Sequence, residues 1–493
     1  MIVNFDSRIS SMRNFILLLL IFPSLVYSQT LEDAINSFVS GQGMESASVS
    51  FEMVDLESKE TILAFDPNRT LITASTAKLF STATALDLLG PDFRATTRVY
   101  LDELPDSSGI VHGNIWIRGG GDPSLGSKYF TTGDKLSFMD QWIDTLKELG
   151  VTTIEGDLIA DASEFGYGGV PDGWNWVDLG NYYGAGPSGL TLYDNLVEYE
   201  FSVPSAIGKR TNLKSVTPDV PGLTLLNEVY SSTNKGDNAY IFGAPYSYDR
   251  FATGTLPAGS TGFIVKGSIP DPERQFAYEF EKRLKSAGIS VKGSTSTGRA
   301  LVIDGSDRFY SGKNLIIEYE GKKLSEIIEQ TNFRSINLFA EHMINLIGRY
   351  IDGYGSTRDG LKTLTKHWSN KIDLEGAQIT DGSGLSRMNA ISAHHFTELL
   401  RYMYTSKYQS DFLASLPISG KSGTLRNVCK NQTAHGRIQA KSGSMSGVRS
   451  YAGYIETKNG KKMAFALIVN NANCSSYVLK RKMEVLFNQL VSY

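Results

Sequence analysis

A long β-rich stretch in the first half of the chain interrupts a pattern that is otherwise typical of a mixed α/β domain. Before it, the sequence predicts a helix near Leu31–Phe38, a strand around Ala47–Asp55 and a helix over Leu71–Gly90. Between about residues 93 and 272, Gly, Tyr, Ser and Thr are frequent, and short alternating runs such as Leu196–Val203 predict strands. The fold must therefore accommodate β-rich modules between its two ends.

After this stretch the helical pattern returns. Phe276–Ala287 carries its apolar residues on one stripe, and Leu324–Ile347 also predicts helix. Near the C-terminus, Ser450–Glu456 and Met463–Val469 predict strands, followed by an amphipathic terminal helix. Two strands and a terminal helix pack naturally as one side of an α/β sandwich.

The length of 493 residues is sufficient for two to four domains. We predict a signal peptide at residues 1–28 and a first part of the α/β domain at 29–92. Inserted β-rich domains follow at 93–272, with a second small domain nested at about 195–265, and the α/β domain resumes at 273–493.

Ser75 and Lys78 stand three residues apart near the start of the predicted helix Leu71–Gly90. Because residues at this spacing share one helical face, Lys78 can accept the proton of the Ser75 hydroxyl. Free N–H groups at a helix N-terminus favour negative charge that develops there. The pattern is short, however, and a solvated helix start is its ordinary explanation.

A second motif, Ser335 and Asn337, comes just before the apolar-periodic stretch Leu338–Ile347. It places a hydroxyl and an amide on a turn at the start of a helix. An N-cap serine is the ordinary explanation of such a pair.

A third motif, Lys441, Ser442 and Gly443, precedes a predicted turn and the strand Ser450–Glu456. A lysine and a hydroxyl on a strand, with a glycine that allows close backbone approach, suit the binding of a substrate that ends in a carboxylate. A second Lys-Ser-Gly at residues 421–423 lies in a Pro- and Gly-rich loop. We therefore prefer the motif that begins at Lys441.

In the order S-x-x-K, S-x-N and K-[ST]-G, these motifs form the signature of penicillin-recognising serine enzymes. The chain resembles the D-alanyl-D-alanine carboxypeptidase/endopeptidase branch of the low-molecular-mass (class C) penicillin-binding proteins. Ser75 and Ser335 lie 260 residues apart, and that branch has a large insert at this place. Arg118–Leu125, Thr380–Arg387 and Gly423–Leu425 resemble further family segments.

The resemblance implies a β-lactamase/transpeptidase-like α/β sandwich. Its antiparallel sheet is flanked by helices, and the β-rich domains are inserted between the S-x-x-K and S-x-N motifs. It also implies a serine carboxypeptidase, and DD-endopeptidase, that acts on peptidoglycan stem peptides ending in D-Ala-D-Ala and is acylated by penicillin and other β-lactams. No cofactor and no metal are expected.

The resemblance gives the motif residues catalytic roles. Ser75 attacks the substrate carbonyl, and Lys78 accepts its proton, for which burial or a nearby cation such as Lys441 must lower the lysine pKa. Ser335 carries the proton toward the leaving amine. Asn337 holds Lys78 and the substrate amide. Two departures from the family pattern are small: a serine replaces the commoner threonine at 442, and another replaces an aspartate at 422.

The remaining implied residues bind substrate. Lys441 and Ser442 hold the terminal carboxylate, beside Gly443, and the backbone N–H groups of Ser75 and Ser444 form the oxyanion hole.

Arg387 and Asp178 resemble positions where the family contacts the diamino acid of the stem peptide. Packing and turn formation are the ordinary alternative for an aspartate beside tryptophans in a β-rich insert.

Two other functions remain open at this stage. A β-lactamase or esterase of the same fold shares the nucleophile, but the long insert argues against it. A non-catalytic peptidoglycan-binding scaffold is the second alternative, and the intact set of three motifs argues against that.

The remaining features concern location and partners. Arg13 and the apolar run Phe15–Phe22 predict a signal peptide that is cleaved before Gln29, with an uncleaved membrane anchor as the alternative. Cleavage would leave no transmembrane anchor and an exported protein of the periplasm or cell envelope. The net charge of −4 gives no reason to expect nucleic acid as a partner. Cys429 and Cys474 could form a disulfide or remain free thiols.

Overall fold

The computed structural model describes residues 30–306 and 308–493, so the predicted signal peptide lies outside the described residues. The helices are α1 (Leu31–Val39), α2 (Lys78–Leu89), α3 (Ser137–Glu148), α4 (Trp176–Leu179), α5 (Pro272–Ser286), α6 (Gly298–Ile303), α7 (Leu324–Arg334), α8 (Asn337–Ile347), α9 (Thr357–Ser369), α10 (Ala393–Thr405), α11 (Gln409–Ser415) and α12 (Ser476–Val491). The strands of the first half are β1 (Ser48–Asp55), β2 (Thr61–Phe65), β3 (Thr96–Leu101), β4 (Ile110–Val111), β5 (Ile115–Arg118), β6 (Thr153–Ile154), β7 (Leu158–Asp161), β8 (Leu196–Ser202), β9 (Asn212–Thr217) and β10 (Thr224–Ser232). Those of the second half are β11 (Asn238–Phe242), β12 (Asp249–Pro257), β13 (Phe263–Ser268), β14 (Ser290–Val291), β15 (Thr295–Thr297), β16 (Asn314–Glu320), β17 (Ile438–Met445), β18 (Val448–Glu456) and β19 (Lys462–Asn470).

Strands from both ends of the chain form one antiparallel sheet in the order β17-β18-β19-β1-β2. Helices cover both of its faces, which explains why β19 is apolar almost throughout. Phe465 and Leu467 point toward α1 and α12, whereas Ala464 and Ala466 point toward α2, α8 and α10. This period of two places each alternate residue in a different hydrophobic core. The predicted α/β sandwich is confirmed.

A second, mixed sheet belongs to the inserted part of the chain, with the order β15-β7-β5-β3-β16. α3 and α5 pack on one of its faces, where Trp142 contacts the rings of Phe276 and Phe280.

The predicted boundary at residue 272 therefore differs from the structure. α5 has the expected apolar stripe, but it covers the sheet of the insert, and β16 pairs with β3 of the same sheet. An amphipathic pattern shows that a helix has a buried face, but it does not show which sheet that face covers. We propose that the insert extends to about residue 320, where β16 ends.

Two three-stranded sheets, β13-β8-β9 and β10-β12-β11, enclose a separate small core. Val197, Tyr199 and Phe201 of β8 contribute to this core together with Ile241 and Leu256. The nested domain at about 195–265 stays a prediction, and we propose it on the basis of this core.

Both cysteines are free thiols. Cys429 is buried and Cys474 is half-buried, and both belong to or border the core under α1 and α12. Within residues 30–306 and 308–493, no helix combines the length and the hydropathy that crossing a bilayer requires.

Candidate active site

Ser75 lies in a single turn of 3₁₀ helix, Ala74–Ala77, which leads directly into α2. The predicted continuous helix over Leu71–Gly90 thus begins a few residues later than expected. Lys78 is the first residue of α2, and its Nζ donates to Ser75 Oγ at 2.9 Å. The expected pairing of hydroxyl and amine is present.

Lys78 is fully buried, at 0% exposure, and its ammonium group has three acceptors. Besides Ser75 Oγ, these are Asn337 Oδ1 at 2.6 Å and the carbonyl of Ser383 at 2.6 Å. Burial lowers the pKa of Lys78 to about 7, although the negative charges of Asp381 and Glu341 partly oppose this shift. A lysine with this pKa is neutral in a large fraction of molecules near neutral pH and can accept a proton.

Ser335 and Asn337 occupy the break between α7 and α8. Ser335 has φ 63°, a left-handed conformation that ends α7 and turns the chain into α8. The Asn337 side chain then accepts from Lys78 with Oδ1 and donates from Nδ2 to the carbonyl of Tyr183 at 2.8 Å. Asn337 therefore joins Lys78 to a loop of the insert.

Lys441 lies on β17, the edge strand of the antiparallel sheet β17-β18-β19-β1-β2, and is fully buried. Its Nζ donates to Ser335 Oγ at 2.8 Å and to the carbonyl of Ser442 at 2.7 Å. Burial, and then the positive charge of Lys78, lower the pKa of Lys441 well below its usual value. The main cause of the lowered Lys78 pKa is burial, rather than the cation that the sequence suggested.

Gly443 permits β17 to lie directly against the turn that carries Ser75. A Cβ atom at this position would lie 2.3 Å from Ser450 Oγ and 2.5 Å from the carbonyl oxygen of Thr73, which is too close for any side chain. Beside it, the Ser442 hydroxyl donates to Thr424 Oγ1 at 2.8 Å.

One open groove contains the exposed part of the site. It is lined by six of the predicted residues, namely Ser75, Asp178, Ser335, Asn337, Arg387 and Ser444. Arg387 Nη2 donates to the carbonyl of Ser446 at 2.9 Å. Lys78 and Lys441 lie buried behind the groove, and Ser442 and Gly443 lie on the strand beside it.

The segment Thr380–Arg387 wraps around Lys78, and two buried carboxylates hold it there. Asp381 accepts from the backbone N–H groups of Gly384 and Ser386, both at 2.7 Å, and from Trp174 Nε1 at 2.9 Å. This loop supplies the Ser383 carbonyl that accepts from Lys78.

Glu341 is the second of these carboxylates. It accepts from the N–H groups of Gly382 at 2.9 Å and Ser383 at 2.8 Å. Burial and the charge of Asp381 raise the pKa of Glu341 to about 8. Sequence reasoning gave no role to either acid. One signal was available, because Glu341 follows Asn337 by one helical turn and so shares its face.

Comparison with known proteins agrees with this geometry. The model of the D-Ala-D-Ala carboxypeptidase 3 (S13) family matches residues 31–490. The chain belongs to this family. It is similar to a D-alanyl-D-alanine carboxypeptidase of an Actinomadura species, with 29% identity over 456 residues, which cover 90% of this chain and 81% of the relative. It is also similar to the D-alanyl-D-alanine carboxypeptidase DacB of Haemophilus influenzae, with 22% identity over 91% of this chain and 92% of the relative.

The fold of this D-Ala-D-Ala carboxypeptidase 3 family member is also found among solved structures. Penicillin-binding protein 4 of Haemophilus influenzae superposes with a TM-score of 0.78 at 20% identity, over 94% of this chain and 99% of the other. The predicted family, fold class and enzyme class are confirmed. The roles of the individual site residues stay predictions.

Proposed function

We propose that this serine D-Ala-D-Ala carboxypeptidase removes the terminal D-alanine from peptidoglycan stem peptides through an acyl-enzyme on Ser75. The observation that carries this assignment is the position of Lys78, a fully buried lysine with a pKa of about 7 whose Nζ contacts the Ser75 hydroxyl. A hydroxyl next to such a base is an activated nucleophile.

In the acylation step, Ser75 Oγ forms a bond to the carbonyl carbon of the terminal D-Ala-D-Ala peptide bond, and its proton moves to Lys78 Nζ. When the bond to the leaving nitrogen breaks, the proton that Lys78 accepted passes through the Ser335 hydroxyl to that nitrogen, and Lys78 is neutral again. Lys441 donates to Ser335 Oγ and so stabilises it while it gives up a proton. Water then attacks the acyl-enzyme and releases the shortened stem peptide.

The substrate lies along the outer edge of β17. Pro417 and Ile418 cover the first half of this edge. The N–H group of Ala440 donates to the Pro417 carbonyl at 3.0 Å, and Ile418 forms an antiparallel bridge with Gln439. The second half borders the groove, where a peptide can add as a further strand. The N–H groups of Ser75 and Ser444 would stabilise the oxyanion in this position.

For the terminal carboxylate, the residues that we propose differ from the expectation in one respect. Lys441 is fully buried and donates to Ser335 and Ser442. The Ser442 and Thr424 hydroxyls, which contact each other at 2.8 Å, lie nearer to the surface. We propose that these two hydroxyls bind the carboxylate directly and that Lys441 acts through Ser335.

Substrate and location complete the proposal. The protein would also cleave cross-links between stem peptides, because the same acyl-enzyme forms when the leaving group is longer. It would be acylated by β-lactams; a second structure of penicillin-binding protein 4 of Haemophilus influenzae holds a β-lactam.

We propose export to the periplasm or cell envelope on the basis of the predicted signal peptide.

Mass spectrometry tests the proposal with purified stem pentapeptides and cross-linked dimers, scored separately. We expect loss of one D-alanine and splitting of dimers, and neither reaction with Ser75→Ala. A fluorescent penicillin should label the wild type and not this variant. Rapid turnover of penicillin without a lasting adduct would instead indicate a β-lactamase, and the absence of any adduct or product would indicate a scaffold.

A further inference from the structure

The outer face of the sheet β10-β12-β11 carries a row of exposed apolar side chains. Leu226 is paired with Phe251, and Phe251 is paired with Phe242, so the three stand side by side across three strands. Leu226 is 61% exposed and Phe251 is 36% exposed. The Phe242 and Phe251 rings are 5.9 Å apart.

Trp176 of α4 extends this row. Its ring lies 6.0 Å from that of Phe242, and the residue is 56% exposed. Trp176, Phe242, Phe251 and Leu226 thus form one continuous strip, which we call the apolar row. Exposed apolar side chains that are contiguous in this way mark binding surfaces more often than isolated ones do.

The apolar row begins at the active-site groove. Val177 and Asp178, the two residues that follow Trp176, line the groove together with Ser75. Tyr240 stands two residues before Phe242 on the same face of β11 and also lines the groove. A ligand with one end in the groove can therefore continue along the row.

Polar groups border the apolar row on both sides. On one side, Thr224 Oγ1 donates to Asp249 Oδ1 at 2.7 Å, and on the other side Glu228 and Thr253 are paired in register. Sugar rings have an apolar C–H face and a rim of hydroxyl groups. The face of an aromatic ring can pack against the C–H face of a sugar, and carboxylates and hydroxyls can form hydrogen bonds with its hydroxyl groups.

The charges beside the row disfavour an anionic membrane surface. Asp249 and Glu228 are acidic, and Arg210 is already ion-paired with Glu228. Lipid headgroups of negative charge attract clusters of unpaired basic residues instead.

We propose that the apolar row binds the glycan strand that carries the stem peptide, a polymer of N-acetylated amino sugars. The idea rests on the proposed function for the identity of the substrate. With the scissile peptide bond at Ser75, the sugar chain would extend over Trp176 toward Leu226. The insert would then bind the polymeric part of the substrate while the main domain performs the cleavage.

The direct test measures binding of the full-length mature protein to glycan strands from which the peptides have been removed. The double variant Leu226→Ser/Phe251→Ser should weaken this binding about tenfold. Ile264→Ser is the matched control, because Ile264 is 46% exposed on the other sheet of this unit, β13-β8-β9, and should leave binding unchanged.

Activity separates this proposal from the proposed function. The double variant should hydrolyse a soluble stem pentapeptide within about twofold of wild type, but should release D-alanine from polymeric peptidoglycan several-fold more slowly. If the wild type hydrolyses the soluble peptide and yet binds no peptide-free strand, the glycan proposal is overturned and the carboxypeptidase assignment stands. If it binds strands and hydrolyses no peptide, the carboxypeptidase assignment is the one that fails.

Three other results would also overturn the glycan proposal. The first is equal loss of strand binding in Ile264→Ser and in the double variant. The second is that the wild type binds 3:1 phosphatidylethanolamine:phosphatidylglycerol vesicles and not glycan strands, and that the double variant no longer binds the vesicles. The third is concentration-dependent dimerisation, seen by sedimentation, that only the double variant loses.

Discussion

Glu341 Oε1 accepts the backbone N–H of Ser383 at 2.8 Å, and the carbonyl of that same residue accepts from Lys78. The buried acid therefore fixes the loop whose carbonyl helps to hold the general base. Asn337, one helical turn before Glu341, contacts Lys78 from the same helix. α8 thus positions the lysine twice, once directly and once through the loop.

Glu341→Gln should lower kcat about tenfold and leave KM for a soluble stem peptide nearly unchanged. Each oxygen of the Glu341 side chain accepts one backbone N–H group. In glutamine an NH₂ group replaces one of these oxygens, so a donor faces a donor and that hydrogen bond is lost. The loop and the Lys78 Nζ therefore shift slightly. The rate of penicillin acylation, measured with a fluorescent β-lactam, should fall by a similar factor. A rise in KM with unchanged kcat would contradict a positioning role.

The activity should rise with pH through a titration near pH 7. Lys78 accepts a proton only in its neutral form, which predominates above its pKa of about 7, so kcat/KM is low below this pH and increases through it. The measurement is the pH profile of kcat/KM on a depsipeptide substrate that has no group titrating between pH 5.5 and pH 8.5. A profile that is flat between pH 5.5 and pH 8.5 would show that Lys78 is not the titrating base.

Ser335→Gly should lower acylation about a hundredfold with little loss of stability. The residue has φ 63°, a conformation that glycine adopts without strain, so this change removes the side chain without straining the backbone. Ser335→Ala keeps the Cβ atom, and with it the backbone strain that serine already has, so it removes only the hydroxyl and is the comparison variant. If the glycine variant retained wild-type acylation, Ser335 would have no part in proton transfer.

Arg387→Ala should raise KM for stem peptides that contain a diamino acid and should change the hydrolysis of simple esters little. Arg387 and Asp178 line the groove, where they can contact the two charged groups of such a side chain. Asp178→Asn should have the same selectivity. Equal losses on peptides and esters would contradict a role in side-chain recognition.

Gly443→Ala should reduce both stability and acylation. The new Cβ would lie 2.5 Å from the carbonyl oxygen of Thr73, so β17 and the Ser75 turn must separate, with a loss of about 2 kcal/mol in the free energy of unfolding. Gly236→Ala is the control, because a Cβ there meets nothing within 4 Å. Thermal unfolding and fluorescent-penicillin labelling measure the two effects, and an unchanged Tm would contradict the close packing.

The sequence predicted much of this site, because each motif has a local signature at the start of a helix or on a strand. The order of Ser75, Ser335 and Lys441 was sufficient to predict a shared site. Glu341 and Asp381 were given no role, since the sequence does not show which backbone N–H groups a buried carboxylate accepts. A change in composition predicts where the insert starts. The sequence does not predict where the insert ends, because the apolar stripe on α5 fits either sheet.

The sheet that supports the nucleophile also determines when the enzyme can first become active. β1 lies between β2 and β19, so Ser48 near the N-terminus pairs with Asn470, more than 400 residues later in the chain. Contacts of such sequence separation form late, because a very long loop must close first. The inserted modules complete their own sheets with segments that precede β17. A chain that is still emerging can thus fold its middle first, and Ser335 stays without its partner Lys441 until β17 has been made.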